Sequence, residues 1–188
     1  MIMPPSEMSA APSVTVEASA HAAPAWQPAS RRRRDACICL HATMVQLDDR
    51  GVLITGPSGA GKSTLALRLL DESGRGLGAT SLDARLVADD QVIVTRDGLL
   101  LMARAPDALR GLMEVRGLGI VRLPEMAPCA PVHLVVRLHA HLSALERLPV
   151  MAYTSILGIA RPLLALSLED SAASARLRAA LTHAGLVT

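Results

Sequence analysis

At 188 residues the chain has room for one globular domain and a tail, and its 51% hydrophobic content can build a sizeable core. A net charge of +2 is too mild for a nucleic-acid-binding protein, and no run approaches the ~20 apolar residues of a membrane span. With no Phe, one Trp (Trp26) and one Tyr (Tyr153), the core is aliphatic.

Residues 1–34 are rich in Ala, Pro and Ser, show no period and read as a disordered tail. It closes on four arginines at 31–34, which leaves the rest of the chain slightly acidic; the run reads as a solvated basic stretch. No continuous apolar stretch marks a secretory signal, and Asp35 and His41 interrupt what a twin-arginine signal would need. Cys37, Cys39 and Cys129 do not make a disulfide framework, and Cys37 and Cys39 alternate as strand packing does. A reduced, cytoplasmic protein is the expectation.

Residues 35–188 read as one domain. Residues 36–47 read as a strand, 48–51 as a turn and 52–55 as a buried strand. A glycine loop then enters a helix over 63–70, with Leu65, Leu67, Leu69 and Leu70 apolar. Residues 73–81 read as a flexible loop. A short strand over 85–88 ends in Asp89-Asp90, and 91–95 continues it; 96–98 is a hairpin turn into 99–103. Pro106 opens a short helix. Residues 114–119 are a glycine-punctuated loop, 132–138 another buried strand, and 171–184 a closing amphipathic helix with Ala172, Ala175, Leu177 and Leu181 toward the core. Strands and helices alternate only in part, so a mixed sheet around a phosphate-loop core is expected, an α/β fold.

The chain contains one lysine against eighteen arginines, and that lysine lies in Gly56-Pro57-Ser58-Gly59-Ala60-Gly61-Lys62-Ser63. The segment fits G-x-x-x-x-G-K-[ST], the Walker A phosphate-binding loop, in its proper setting of strand, loop and helix. A compact ammonium reaches the β- and γ-phosphates where a planar guanidinium does not fit. The loop's backbone N–H groups and the N-terminus of the following helix, through Thr64, cradle the phosphates, and Ser63 is placed to ligate Mg²⁺. A bound adenine is not expected between aromatic rings.

Asp89 and Asp90 are two acids at a strand end, where adjacent side chains point different ways. Beside a phosphate loop they can divide metal holding and base catalysis. Met113-Glu114-Val115-Arg116-Gly117-Leu118-Gly119-Ile120 has the glycines of a loop packing closely on something, though spacing alone equally fits a surface turn. His41, taken alone, reads as a structural histidine on an apolar strand.

Together these pieces resemble the catalytic domain of the HPr kinase/phosphorylase family. The resemblance rests on His41 before Gly56, on Gly51-Val52-Leu53-Ile54-Thr55-Gly56 running into the loop, on Arg85-Leu86-Val87-Ala88-Asp89-Asp90, and on the 113–120 segment, which matches the family signature. It implies a fold related to phosphoenolpyruvate carboxykinase and an enzyme that uses ATP and Mg²⁺ to phosphorylate a serine of HPr, the phosphocarrier of the sugar phosphotransferase system. Many members also run phosphorolysis, in which phosphate attacks phosphoserine and releases pyrophosphate. The resemblance makes Asp89 the general base and the acid in reverse, Asp90, Ser63 and Glu114 the metal-side residues, Lys62 the phosphate ligand and His41 a residue near the transferred phosphate. Arg116 belongs to the signature loop without an assigned role.

The chain resembles the short, kinase-domain-only type, and a hexamer is what the family implies. It departs from the family in a longer loop over 73–84 and in Arg161-Pro162, which stands where longer members carry Pro-Gly-Arg. Two other readings are an ATP-sensing module with weak or no catalysis and a small-molecule kinase on a similar core.

Overall fold

The structure is a computed structural model that describes residues 36–147 and 149–183, so the expected tail and the arginine run lie outside the described residues. Its elements in order are β1 (Cys37–His41), β2 (Thr43–Leu47), β3 (Arg50–Thr55), α1 (Lys62–Asp71), β4 (Ala84–Ala88), β5 (Gln91–Asp97), β6 (Leu100–Arg104), β7 (Leu112–Val115), β8 (Gly119–Arg122), β9 (Ala130–His139), β10 (Ala152–Ile156), β11 (Ile159–Ser167) and α2 (Ala173–Thr182). A 3₁₀ turn at Asp107–Leu109 follows Pro106, as the sequence predicts. Another covers Leu142–Ala144.

Nine strands form one curled, mixed sheet in the order β1-β5-β6-β9-β3-β2-β4, with β11 on β9 and β10 on β11; β7 and β8 make a separate hairpin. The ten-residue β9 is the seam. Its start (Ala130, Pro131) pairs antiparallel with β6 and its end (Val135 to His139) pairs parallel with β11, while β3 runs parallel along the other edge.

Both faces of β3 and β9 are covered. Val52, Ile54, Leu134 and Val136 pack against Leu65 and Leu69 of α1 and Leu177 and Leu181 of α2. Leu53 and Val135 face the curled-over strands and meet Val92, Val94, Leu101 and Ala103. Burial on both faces is why these strands read as continuous apolar runs rather than alternating ones. A helix of 10 residues is marginal alone, so α1 is held largely by its buried Leu65 and Leu69, each worth ~1.5–3 kcal/mol. Among the described residues, no helix is long and apolar enough to cross a membrane.

The curl overturns two strand readings. Residues 36–47 are not one strand: the chain breaks at Ala42, so that β1 pairs with β5 and β2 with β3 and β4. Likewise β5 does not continue β4. Asp90 takes a left-handed φ of 66°, which Asp tolerates better than most residues, and the chain turns into the other half of the sheet. The two breaks face each other, since the Ala42 N–H donates to the Asp90 carbonyl at 3.3 Å. They bring His41, Thr43, Asp89 and Asp90 to one end of the sheet.

Other expectations change as well. Glu114 and Val115 lie on β7, and only residues 116–118 form the turn. A Cβ added at Gly117 or Gly119 would meet nothing within 4 Å, so these glycines serve positive φ (88° and 90°) and not close packing. The 73–81 loop is pinned to α2 rather than free: a side chain at Gly76 would strike the Arg178 backbone, and the Leu77 N–H donates to Thr182 Oγ1 at 2.9 Å.

In α2 the buried residues are Ala173, Ser174, Leu177, Arg178, Ala180 and Leu181, whereas Ala172 and Ala175 are exposed. The polar pair turns inward because the end of α1 needs donors. Arg178 donates to the carbonyls of Leu69 (2.9 Å) and Glu72, and Ser174 donates to the Glu72 carboxylate. The β10–β11 hairpin has no counterpart in the sequence reading. Its turn, Leu157-Gly158, has φ of 50° and 80°, and a leucine in the left-handed region carries no turn signal.

Candidate active site

The loop between β3 and α1 sits at the carboxyl ends of the parallel strands β3, β9 and β11, where open α/β sheets bind ligands. Gly61 precedes α1 with a φ of 90°, a conformation natural to glycine, and sets the first-turn N–H groups of α1 toward the loop. That helix end carries partial positive charge and its first turn has no acidic residue to offset it, which suits an anion. In front of the loop opens a cavity of about 760 Å³. The loop and Thr64 line it, as do His41, Thr43, Lys62, Ser63, Asp89, Asp90, Glu114, Arg116, His139, Ala140, Leu168 and Glu169.

Lys62 is only 6% exposed. Its Nζ donates to the carbonyls of Gly56 (3.2 Å) and Pro57 (3.1 Å) and lies 3.0 Å from His41 Nε2. An ammonium has no lone pair, so Nε2 must accept, which puts the ring proton on Nδ1. Nδ1, which then carries the proton, lies 3.1 Å from Asp90 Oδ1. A line of contacts therefore runs Lys62–His41–Asp90, with the His41 and Asp90 side chains 55% and 60% exposed.

Asp89 is 3% exposed and fully engaged. Its Oδ1 accepts from Thr43 Oγ1 (2.7 Å) and Ser63 Oγ (2.8 Å), and its Oδ2 accepts from the Glu114 N–H (3.1 Å). Three elements thus converge on one carboxylate: β2, α1 and β7. The hairpin is anchored there because Met113 is buried in the core beside α1.

Of the residues singled out from sequence, His41, the 57–64 segment, Asp89, Asp90 and Glu114 surround this one cavity, while Gly56 lines a neighbouring one. Among the described residues, no group of three or more His, Cys, Asp and Glu side chains is arranged to hold a metal. Ser63 Oγ and Asp89 are hard oxygen donors 2.8 Å apart. They fit a small divalent cation that takes most of its ligands from phosphate and water, as Mg²⁺ does.

Sequence reasoning passed over Thr43, His139, Leu168 and Glu169, which the carboxyl ends of β9 and β11 and the break after β1 bring to the cavity. Local pattern holds no signal for them except that Thr43 stands two residues from His41. Glu169 clamps the turn at the cavity rim: the Leu142 N–H (2.7 Å) and His141 (2.9 Å) hold its carboxyl below the usual range.

Arg161 does not line the cavity. Its guanidinium donates to the carbonyls of Val132 (2.6 Å), Ala160 (2.9 Å) and Leu99 (3.0 Å), and burial lowers its pKa, so it stitches β11 to the sheet.

The family described as HPr Serine kinase C-terminal domain matches residues 35–177. The HPr kinase/phosphorylase of Chloroherpeton thalassium is 42% identical over 87 residues, 46% of this chain and 23% of that protein. That of Chlorobium limicola is 48% identical over 83 residues, 43% of this chain and 22% of that protein. The matched stretch is thus under a quarter of the length of these relatives. The Hpr(Ser) kinase/phosphatase of Coxiella burnetii superposes with a TM-score of 0.62 at 26% identity, covering 75% of this chain and 91% of that one, and it shares the mixed α/β fold. By the extent of the family match, this chain belongs to the HPr serine kinase C-terminal domain family.

Proposed function

We propose that the chain is an ATP-dependent protein kinase that phosphorylates a serine of an HPr-like phosphocarrier. The observation that carries this reading is the arrangement of two adjacent acids around one phosphate loop. One acid is buried against the loop serine and the other is open and tied through His41 to Lys62. Relatives with the names HPr kinase/phosphorylase and Hpr(Ser) kinase/phosphatase supply the acceptor class.

The geometry supports a division of labour opposite to the one the family resemblance implies. Asp89, expected as the base, has both oxygens occupied by donors and almost no exposed surface for a protein serine to reach. Asp90, expected on the metal side, opens into the cavity, with His41 Nδ1 3.1 Å from its Oδ1. We therefore assign Asp90 the base role and Asp89, with Ser63, the metal side.

In the forward reaction the serine oxygen bonds to the γ-phosphorus, the bond from that phosphorus to the β–γ bridging oxygen breaks, and ADP leaves. The serine proton passes to Asp90, beside which His41 stands. Lys62 and the α1 N-terminus hold the phosphates by fixed positive charge, so rate comes from positioning and charge neutralisation. Ser63, with Asp89 and Glu114, would hold Mg²⁺, which would supply positive charge to the β- and γ-phosphates. Run with phosphate as attacking group on phosphoserine, the same site yields pyrophosphate and serine, with Asp90 returning the proton.

This reading places the fold among phosphate-loop kinases related to phosphoenolpyruvate carboxykinase, working as a homo-oligomer in the reducing cytoplasm, where the three thiols stay free.

The test is to incubate purified chain with γ-labelled Mg-ATP and the HPr-like protein of the same genome and to map the phosphosite. Label on one serine supports the reading. Tight nucleotide binding without transfer favours an ATP-sensing module, and turnover without a protein acceptor favours a small-molecule kinase.

A further inference from the structure

Thr43 is a fully buried polar residue that the mechanism above does not use. It opens β2, two residues after His41 and just past the chain break at Ala42. Its Oγ1 donates to Asp89 Oδ1, the same oxygen that takes the Ser63 hydroxyl. The other two donors to Asp89 come from the first turn of α1 and the hairpin strand β7. Thr43 alone comes from an interior strand, β2, hydrogen-bonded to β3 on one side and β4 on the other. A β-branched side chain on a strand has few χ1 choices, so this donor is rigid.

A hydroxyl carries one proton and two lone pairs. With its proton committed to Asp89, the Ser63 oxygen can present only lone pairs elsewhere, which is the state a cation ligand needs. If the Asp89 carboxylate rotates, Ser63 loses its acceptor and its proton is free to point at the cation site. The orientation of Ser63 thus depends on what holds Asp89.

We propose that Thr43 is a positioning residue for the nucleotide-bound cation: its hydroxyl fixes the Asp89 carboxylate, and Asp89 turns the Ser63 oxygen toward the metal. This rests on the nucleotide-and-metal half of the function proposed above and is independent of which acceptor is phosphorylated. A hydroxyl that merely satisfies a buried carboxylate would affect stability alone.

The test titrates Mn²⁺ into the full chain with ADP and reads free Mn²⁺ by electron paramagnetic resonance, for wild type, Thr43→Val and Thr43→Ser. Thr43→Val should weaken Mn²⁺ uptake by about 10- to 100-fold, the range typical when a partner behind a metal ligand is lost. Thr43→Ser keeps the donor and should bind as wild type does, and ADP affinity without metal should be unchanged in both. Wild-type Mn²⁺ affinity in Thr43→Val overturns the proposal. So does a Thr43→Ser variant as weak as Thr43→Val, because shape and not the hydroxyl would then be responsible. If Thr43→Val does not fold, Thr43→Ala takes its place under the same criteria; failure of both to fold while Thr43→Ser binds normally reduces Thr43 to a stability role and also overturns it. A wild-type chain that takes up no Mn²⁺ with ADP overturns this inference together with the nucleotide-and-metal half of the function. Normal uptake without phosphate transfer to any carrier leaves Thr43 standing and removes only the acceptor.

Discussion

Asp89 and Asp90 are joined by one peptide bond and occupy opposite environments. Around Asp89 everything is closed: two hydroxyls and a backbone N–H fill its oxygens and the side chain is out of water. Around Asp90 everything is open: one imidazole contact, a left-handed backbone and a side chain facing the cavity. Identical chemistry in adjacent residues therefore does not mean interchangeable roles. A carboxylate whose oxygens are spent on donors can orient other groups, and one with free lone pairs can receive a proton.

The largest expected effect comes from the open side. Asp90→Asn should cut phosphate transfer by about 10²- to 10⁴-fold, the usual worth of a general base, while ADP and Mn²⁺ affinities stay near wild type. Retained transfer in this variant would collapse the distinction between the two acids. Asp89→Asn should do the converse, weakening Mn²⁺ uptake. It also replaces an acceptor of three hydrogen bonds with a half-donor amide in a buried place, a cost of about 1–3 kcal/mol readable by urea unfolding. If Asp89→Asn leaves both metal affinity and stability unchanged, the closed environment is incidental.

A third variant probes the support behind the loop. Arg178→Met keeps an unbranched apolar stem but leaves the Leu69 and Glu72 carbonyls at the end of α1 without their donor. It should lower stability by about 1–3 kcal/mol and loosen α1, with amide exchange rising at residues 68–78 before it rises at the cavity acids. Uniform exchange changes would argue against a local latch.

The smallest effect is set by pH. Burial, the main cause, lowers the pKa of His133 from 6.5, and its Nδ1 accepts the Gly51 N–H at 3.1 Å. The unfolded chain then binds more protons than the folded one below about pH 6.5, so stability falls as pH drops through that value toward the lowered folded pKa. His133→Asn should flatten that part of the stability–pH curve, measured by chemical unfolding between pH 5 and 7.5, the span that brackets the ordinary His pKa. An unchanged slope would mean that other groups carry it.

What the sequence made legible was local. The 56–63 segment is contiguous, and the lone Lys62 marks it whatever the fold does around it. The acid pair was also readable as a pair, since neighbours on a strand diverge, but not which acid faces inward. That depends on Thr43 and Ser63, which are 46 and 26 residues away from Asp89 along the chain. The breaks at Ala42 and Asp90 read as continuous strands because both sides keep apolar alternation, and only the pairing of β1 with β5 and of β2 with β4 divides them. The spacing of Gly117 and Gly119 fits close packing and a surface turn equally, and they are turn glycines, whereas Gly76, in a segment that reads as a flexible loop, is a contact. Glycine alone does not say whether φ or space requires it.

The most direct test of the account runs wild type, Asp89→Asn and Asp90→Asn side by side, scoring Mn²⁺·ADP affinity and phosphoserine formed on the HPr-like carrier from the same preparations. The account predicts that wild type binds and transfers, Asp90→Asn binds without transferring, and Asp89→Asn binds metal weakly. An Asp90→Asn variant that transfers at the wild-type rate, or a wild-type chain that binds nucleotide and labels no carrier serine, would contradict it.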